Sequence, residues 1–340
     1  SSTGECISDL YNESGLQVAK SKLARLTLGS MQSEVEMLRY VLRRRQEAGE
    51  KRGESPEKDD GILARAKPLE ILGLIARNAT LDGGSTVMSD LQIDQDGGTR
   101  PLPLKSDFYS GSGGVAFSLC YASRMSKNEA FNERASLVLR NHFNRRDLFD
   151  TQDVGVCHGI GGSIYLASHA ASVFSSSGYG EIGLELANFA SQRLHADRKF
   201  DLFSGAAGLL MSLCAIFHVT KNEKIREYAH AACRHLEKYS VDSSFGGTVW
   251  MSSIPSSGPT TGFAHGISGI AYALLSARET FQWTEFDELI HGANKFLEAR
   301  HLAPGQWAED DTGEISKLNV WCHGASGIGA CHVRRYSPVS

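Results

Sequence analysis

The fold is decided by Gly262-Phe263-Ala264-His265-Gly266-Ile267-Ser268-Gly269-Ile270-Ala271-Tyr272-Ala273-Leu274-Leu275. One histidine in a turn leads into Gly-x-x-Gly, and an apolar run of helical periodicity follows. Four other stretches keep that plan: Phe108-Tyr109-Ser110-Gly111-Ser112-Gly113-Gly114, Val156-Cys157-His158-Gly159-Ile160-Gly161-Gly162, Asp201-Leu202-Phe203-Ser204-Gly205-Ala206-Ala207-Gly208 and Trp321-Cys322-His323-Gly324-Ala325-Ser326-Gly327. Their first glycines, Gly111, Gly159, Gly205, Gly266 and Gly324, stand 48, 46, 61 and 58 residues apart. Self-similarity at that period marks a stack of like units.

Working outward, the helices come in pairs. The first of each pair follows Gly-x-x-Gly and is apolar nearly all round, as in Val115-Ala116-Phe117-Ser118-Leu119. The second is amphipathic: 129–143, 181–194, 223–239 and 285–300. A helix apolar on every side must be buried, whereas one with a charged face can lie outside. These features predict an all-α protein, an α/α toroid with an inner ring of helices wrapped by an outer ring. With every repeat in the same sense, the residues before each Gly-x-x-Gly encircle one mouth. Asp201, His158, His265, Cys322 and His323 would meet there. Residues 101–340 form this toroid, and residues 1–100 a lead-in. In the lead-in, 7–48 reads as mostly helical, 47–60 as an exposed loop and Pro68–Asn78 as a further helix. Residues 85–93 leading to Asp96-Gly97-Gly98 signal a small β-hairpin.

With 340 residues, 41% hydrophobic and 22% charged, the chain can bury a substantial core. A net charge of −4 with dispersed basic residues gives no reason to expect nucleic acid. Arg43-Arg44-Arg45, interleaved with Glu47 and Glu50, reads as a solvated helix end. No secretory signal or membrane-spanning run is apparent, and seven scattered cysteines suit a reducing cytoplasm.

Cys322 is the sharpest chemical candidate. It precedes a helix start, where the dipole favours thiolate, so it reads as a nucleophile or a metal ligand against the alternative of a packed cysteine. His265 and His323 each stand immediately before a repeat glycine, a place that also suits a capping or core histidine. Asp201 lies four residues before Gly205, where an N-terminal cap is the ordinary role. Each signal is weak alone, and their shared placement on one rim strengthens them.

Together the glycine motifs resemble the lanthionine synthetase C-like cyclases, most closely the cyclase half of class II lanthipeptide synthetases. The likeness runs from about Leu63 to Gly329, and the segment before Asp107 resembles the lead-in from a dehydratase half. The resemblance implies a seven-repeat toroid with one zinc ion at its mouth. The zinc would activate a cysteine thiol of a ribosomal precursor peptide carrying dehydrated Ser/Thr and Cys. Addition to dehydroalanine or dehydrobutyrine then gives a thioether ring. By the same resemblance His265 is the acid/base and Asp201 the active-site aspartate. Cys322 is the first zinc cysteine, with His323 beside the metal. A dehydratase domain or partner and a cytoplasmic setting are also implied.

One departure from that pattern stands out. The family draws its second zinc cysteine and its zinc histidine from the next repeat, which the spacing here puts beyond residue 340. An incomplete cyclase domain, truncated or altered at its C-terminus, is therefore expected, with five motifs where seven belong. Cys331-His332 follows Cys322 too closely: nine residues along one helix span roughly 13 Å, against Zn–S bonds of about 2.3 Å. Cys157-His158-Gly159 copies the offsets of Cys322-His323-Gly324, with packing as its expected role. Two alternatives stay open: a metal-free toroid that binds a peptide or thiol, and a glycoside-processing barrel, which needs a second rim carboxylate beside Asp201.

Overall fold

The structure, a computed structural model, describes residues 72, 73, 75, 80–82, 85–87, 89–93, 99–126, 129–252, 258–309 and 320–336. They belong to two compact units, 1–87 and 88–340. In the first, Leu72, Gly73 and Ile75 are helical, within the predicted 68–78 helix. Strand β1 (Thr80–Asp82) pairs antiparallel with β2 (Ser85–Val87). The expected helices of 7–48 and loop of 47–60 lie outside the described residues.

The second unit opens with β3 (Ser89–Ile93) paired antiparallel to β4 (Thr99–Pro103), with Asp96-Gly97-Gly98 between them. The segment 85–93 is thus shared between two hairpins. Helical pairs follow. The inner helices are α1 (Ser112–Ser126), α3 (Gly161–Phe174), α5 (Ala206–Thr220), α7 (Ile267–Phe281) and α9 (Ala325–Tyr336). The outer ones are α2 (Glu129–Phe143), α4 (Ser177–Arg193), α6 (Glu223–Lys238) and α8 (Asp287–Ala299). Successive inner helices pack on one another from α1 to α9, and α1, α3, α5 and α7 each pack on their own outer partner. That is the layering of an α/α toroid.

The amphipathic contrast explains the layers. Leu209, Leu210, Leu213 and Ile216 of α5 are all fully buried, whereas α6 buries Ile225, Ala229, Ala232, Cys233, His235 and Leu236 and turns its charged residues out. Asn222 caps α6 by accepting from Lys224 N–H at 2.9 Å. A common end recurs on the inner helices: Ser175, Lys221 and Gln282 close α3, α5 and α7 in the left-handed conformation.

The second glycine of each motif is required by backbone proximity. A Cβ on Gly208 would run into the carbonyl oxygen of Leu202, and one on Gly327 into that of Trp321, six residues upstream in both cases. Gly114, Gly162 and Gly269 meet Phe108, Val156 and Phe263 in the same way. Each motif turn therefore folds back onto the first turn of its own helix, with no room for a side chain.

More strand is present than the single predicted hairpin. β5 (Ser240–Asp242) pairs with β6 (Thr248–Trp250), and β7 (His301–Ala303) with β8 (Gln306–Trp307). Each hairpin leads from an outer helix back toward the mouth. Gly246, Gly247 and Gly305 supply the positive φ of their turns.

Candidate functional site

Backbone hydrogen bonds tie the motif turns together at the mouth. Tyr109 N–H donates to Cys157 O at 3.1 Å, and His158 N–H to Phe203 O at 3.1 Å. Phe203 N–H donates to Ala264 O at 3.0 Å, and Ala264 N–H to Cys322 O at 3.1 Å. Every residue in this chain of bonds stands two before a motif glycine or directly beside that position. The ladder sets neighbouring turns in a fixed register, so side chains far apart in sequence become neighbours.

The pair it creates is His265 and Asp201. His265 Nδ1 lies 2.8 Å from Asp201 Oδ2. A carboxylate oxygen accepts, so Nδ1 carries the proton and Nε2 is left free for other chemistry. Asp201 is 1% exposed, and its other oxygen accepts from Ser204 N–H at 2.7 Å and Gly205 N–H at 3.0 Å. The aspartate thus serves two partners: Oδ1 braces the turn just before α5, and Oδ2 bonds a histidine from the next repeat. The His265 side chain keeps about a third of its surface in solvent.

Aromatic rings wall this dyad. Phe203 lies 4.7 Å from His265 between ring centroids, His158 4.4 Å from Phe203, and Tyr109 5.0 Å from Phe203. Trp321 closes on Tyr109 at 6.3 Å. Tyr109 and Trp321 are 58% and 40% exposed, unusual for such large rings, and both stand at the mouth. Sequence reading did not single out these walls. The signal was available, because Tyr109 and Phe203 hold the place in their motifs that Cys322 holds in its own.

His323 stacks near His265, with ring centroids 6.0 Å apart, and its Nδ1 lies 3.3 Å from Glu309 Oε1. The approach is close enough for electrostatic attraction but is not aligned as a hydrogen bond, and His323 Nδ1 is buried without one. No sequence signal marked Glu309. Cys322 is a half-buried free thiol packed against the mouth cluster of Val156, Cys157, Leu202, Phe203 and Ala264. Cys157 is buried in that cluster. Burial, with Asp201 and Asp107 adding negative charge, pushes its thiol up to about 12, which makes it an inert packing group. Cys331 is fully buried in the separate helical core, so Cys331 and Cys322 belong to different clusters.

Asp201, His265, Cys322 and His323 therefore share one rim, where Asp201 bonds His265 and His323 stacks beside it. Among the described residues no group of three or more His, Cys, Asp or Glu side chains is arranged to hold a metal ion. The zinc implied by the resemblance does not find a complete ligand set in these residues. Among them, too, no helix is long and apolar enough to cross a membrane.

The family model for lanthionine synthetase C-like protein matches residues 103–337. No curated protein sequence matches the chain. Among solved structures, nisin cyclase superposes with a TM-score of 0.56 at 16% identity, over 81% of this chain and 71% of that one. An unsaturated glucuronyl hydrolase specific for heparin gives 0.43 at 15% identity, over 71% of this chain and 68% of that one. An unsaturated glucuronyl hydrolase from Bacillus sp. GL1 gives 0.42 at 17% identity, over 79% and 75%. The nisin cyclase likeness bears on the fold. The family match spans well over half the chain and includes all five glycine motifs, so the chain belongs to the lanthionine synthetase C-like protein family.

Proposed function

We propose that the mouth closes thioether rings in a dehydrated peptide, with His265 as the group that moves the proton. The observation that carries this reading is the 2.8 Å bond from His265 Nδ1–H to the buried Asp201 carboxylate. It holds the imidazole in one tautomer and points its basic Nε2 away from the carboxylate. His265 Nε2 takes the proton of a peptide cysteine thiol. The sulfur then bonds to the β-carbon of dehydroalanine or dehydrobutyrine, and the alkene π electrons move onto the neighbouring carbonyl as an enolate. Nε2–H returns the proton to the α-carbon. The net change is addition of S–H across C=C, with no redox partner and no change of mass. Asp201 stabilises the imidazolium between the two transfers. The rings of Phe203, Tyr109 and Trp321 shield the enolate from water and offer flat apolar faces to the conjugated alkene.

Zinc is a further proposal. Cys322 Sγ would be the thiolate ligand this chain contributes, with His323 beside it. Bound zinc would supply a lowered pKa to the peptide thiol. The proton steps above take no route through it. The partner is a peptide with dehydrated Ser/Thr and Cys delivered by a dehydratase activity, and the setting is the cytoplasm.

The test is to incubate the protein with such a peptide and count the thiols still open to alkylation. Each ring removes one thiol while the mass of the unlabelled peptide stays constant. A peptide that binds but keeps all its thiols would support the metal-free binding toroid instead.

A further inference from the structure

Behind the Asp201–His265 pair lies a second buried carboxylate. Asp197 precedes the turn that carries Asp201 and Phe203, and it is 9% exposed. Its Oδ1 accepts from Lys199 N–H at 3.0 Å. Its Oδ2 accepts from Phe200 N–H at 3.2 Å and from Ala206 N–H at 3.0 Å. One side chain thus ties together both ends of the 199–206 turn, at its first residues and at the first residue of α5.

The turn needs such a tie. Phe200, immediately before Asp201, has φ +62°, a left-handed conformation unfavourable for a residue with a Cβ. Its ring is held from behind, 5.5 Å from Tyr239 and 5.8 Å from His235 between centroids. His235 of α6 also donates from Nε2 to Asp197 O at 3.2 Å, and the same nitrogen lies 3.6 Å from Asp197 Oδ2. Arg198 spans the other side, donating to Asp197 O at 2.6 Å and lying over the Tyr239 ring. The left-handed residue turns the chain so that Asp201 points to the neighbouring repeat and meets His265.

We propose that Asp197 is a positioning residue for the ring-closing reaction: it clamps the 199–206 turn in the strained conformation that places Asp201 under His265. This rests on the proposed role of His265, so the test carries one readout that needs no activity. The Nδ1–H proton of His265, assigned by its loss in His265→Gln, should give a downfield NMR signal in the wild type. Asp197→Asn should abolish or strongly broaden that signal while the protein still melts cooperatively. In ring closure, Asp197→Asn should lower kcat by about 100-fold with KM little changed, and should change the pH profile as Asp201→Asn does. The double variant should be no slower than Asp201→Asn alone, because both act through one path.

An unchanged His265 signal in folded Asp197→Asn would overturn the proposal, as would losses that multiply in the double variant. If Asp197→Asn does not fold, His235→Gln decides. It keeps all three backbone bonds to Asp197 and should weaken the signal partially, whereas an unaltered signal contradicts the proposal. Absence of ring closure by the wild type would refute the functional reading and leave the NMR result to judge Asp197.

Discussion

Asp201 offers its two carboxylate oxygens to two different tasks: Oδ1 to the Ser204 and Gly205 amides, Oδ2 to His265 Nδ1. Asn at this position has one acceptor oxygen and must abandon one task. Asp201→Asn is predicted to lower ring closure by about 100-fold or more. It should also lose about 1 kcal/mol of stability, as a weakened buried hydrogen bond does. Thiol counting and thermal melts on the same preparation check both. Full activity would mean that the histidine needs no carboxylate.

The two kinds of glycine on α9 and α5 behave oppositely. Gly208→Ala drives a Cβ into backbone at Leu202 and Val156, which neither segment can yield, and should cost about 3 kcal/mol. Gly329→Ala meets nothing within 4 Å in mid-helix and should stabilise by about 0.5–1 kcal/mol. Denaturant melts of the two variants give the comparison. Equal effects would mean the motif turn does not fold back onto its helix.

His142 makes stability depend on pH. It is 2% exposed and sits between two serine hydroxyls, Ser112 Oγ on Nδ1 at 3.0 Å and Ser163 Oγ on Nε2 at 3.0 Å. A neutral imidazole satisfies both, one nitrogen donating and the other accepting. Burial first, then the Arg145 charge, pushes its pKa down to about 4. The folded state resists a proton that the unfolded chain accepts below about 6.5. This contribution is therefore complete above that pH and is lost as pH falls toward 4, by roughly 3 kcal/mol in all. His142→Gln, which can bond both hydroxyls, should flatten the decline between pH 6.5 and 4. An identical slope in the variant would show that His142 does not titrate this way.

Cysteine reactivity should follow exposure. Among the described cysteines, Cys322 is half-buried and the rest are buried, with Cys120, Cys157 and Cys214 pushed up to about 12 by desolvation. Iodoacetamide at pH 8, read by peptide mass mapping, should label Cys322 first and leave these three intact. If Cys322 is a zinc ligand, added Zn²⁺ slows its labelling and chelator restores it, and Cys322→Ala lowers the zinc content of the protein. Labelling indifferent to zinc would remove Cys322 from the metal proposal.

Much of this architecture was legible in the sequence. The Gly-x-x-Gly motifs mark the starts of the inner helices because close backbone contact admits no side chain there. Asp201 and His265 were visible as separate candidates. Their contact was not, since it joins residues 64 apart and depends on the ladder from Phe203 N–H to Ala264 O. Helix α4 starts at Ser177 rather than at Glu181, running through Gly178 and Gly180. Gly180 and Gly183 are needed for contact with Thr220 and Ile216 of α5. Asp197 escaped notice because it lies outside the repeated motif, eight residues before Gly205, where the other repeats have no aspartate.

The central claim is that His265 moves the proton in ring closure. Its most direct test is ring closure of a dehydrated, cysteine-containing peptide by the wild type and by His265→Asn, with peptide affinity measured in parallel. The account predicts rings from the wild type and a loss of about 100-fold or more in the variant, with affinity nearly unchanged. Rings formed as fast by His265→Asn, or peptide bound by the wild type and left open, would contradict it.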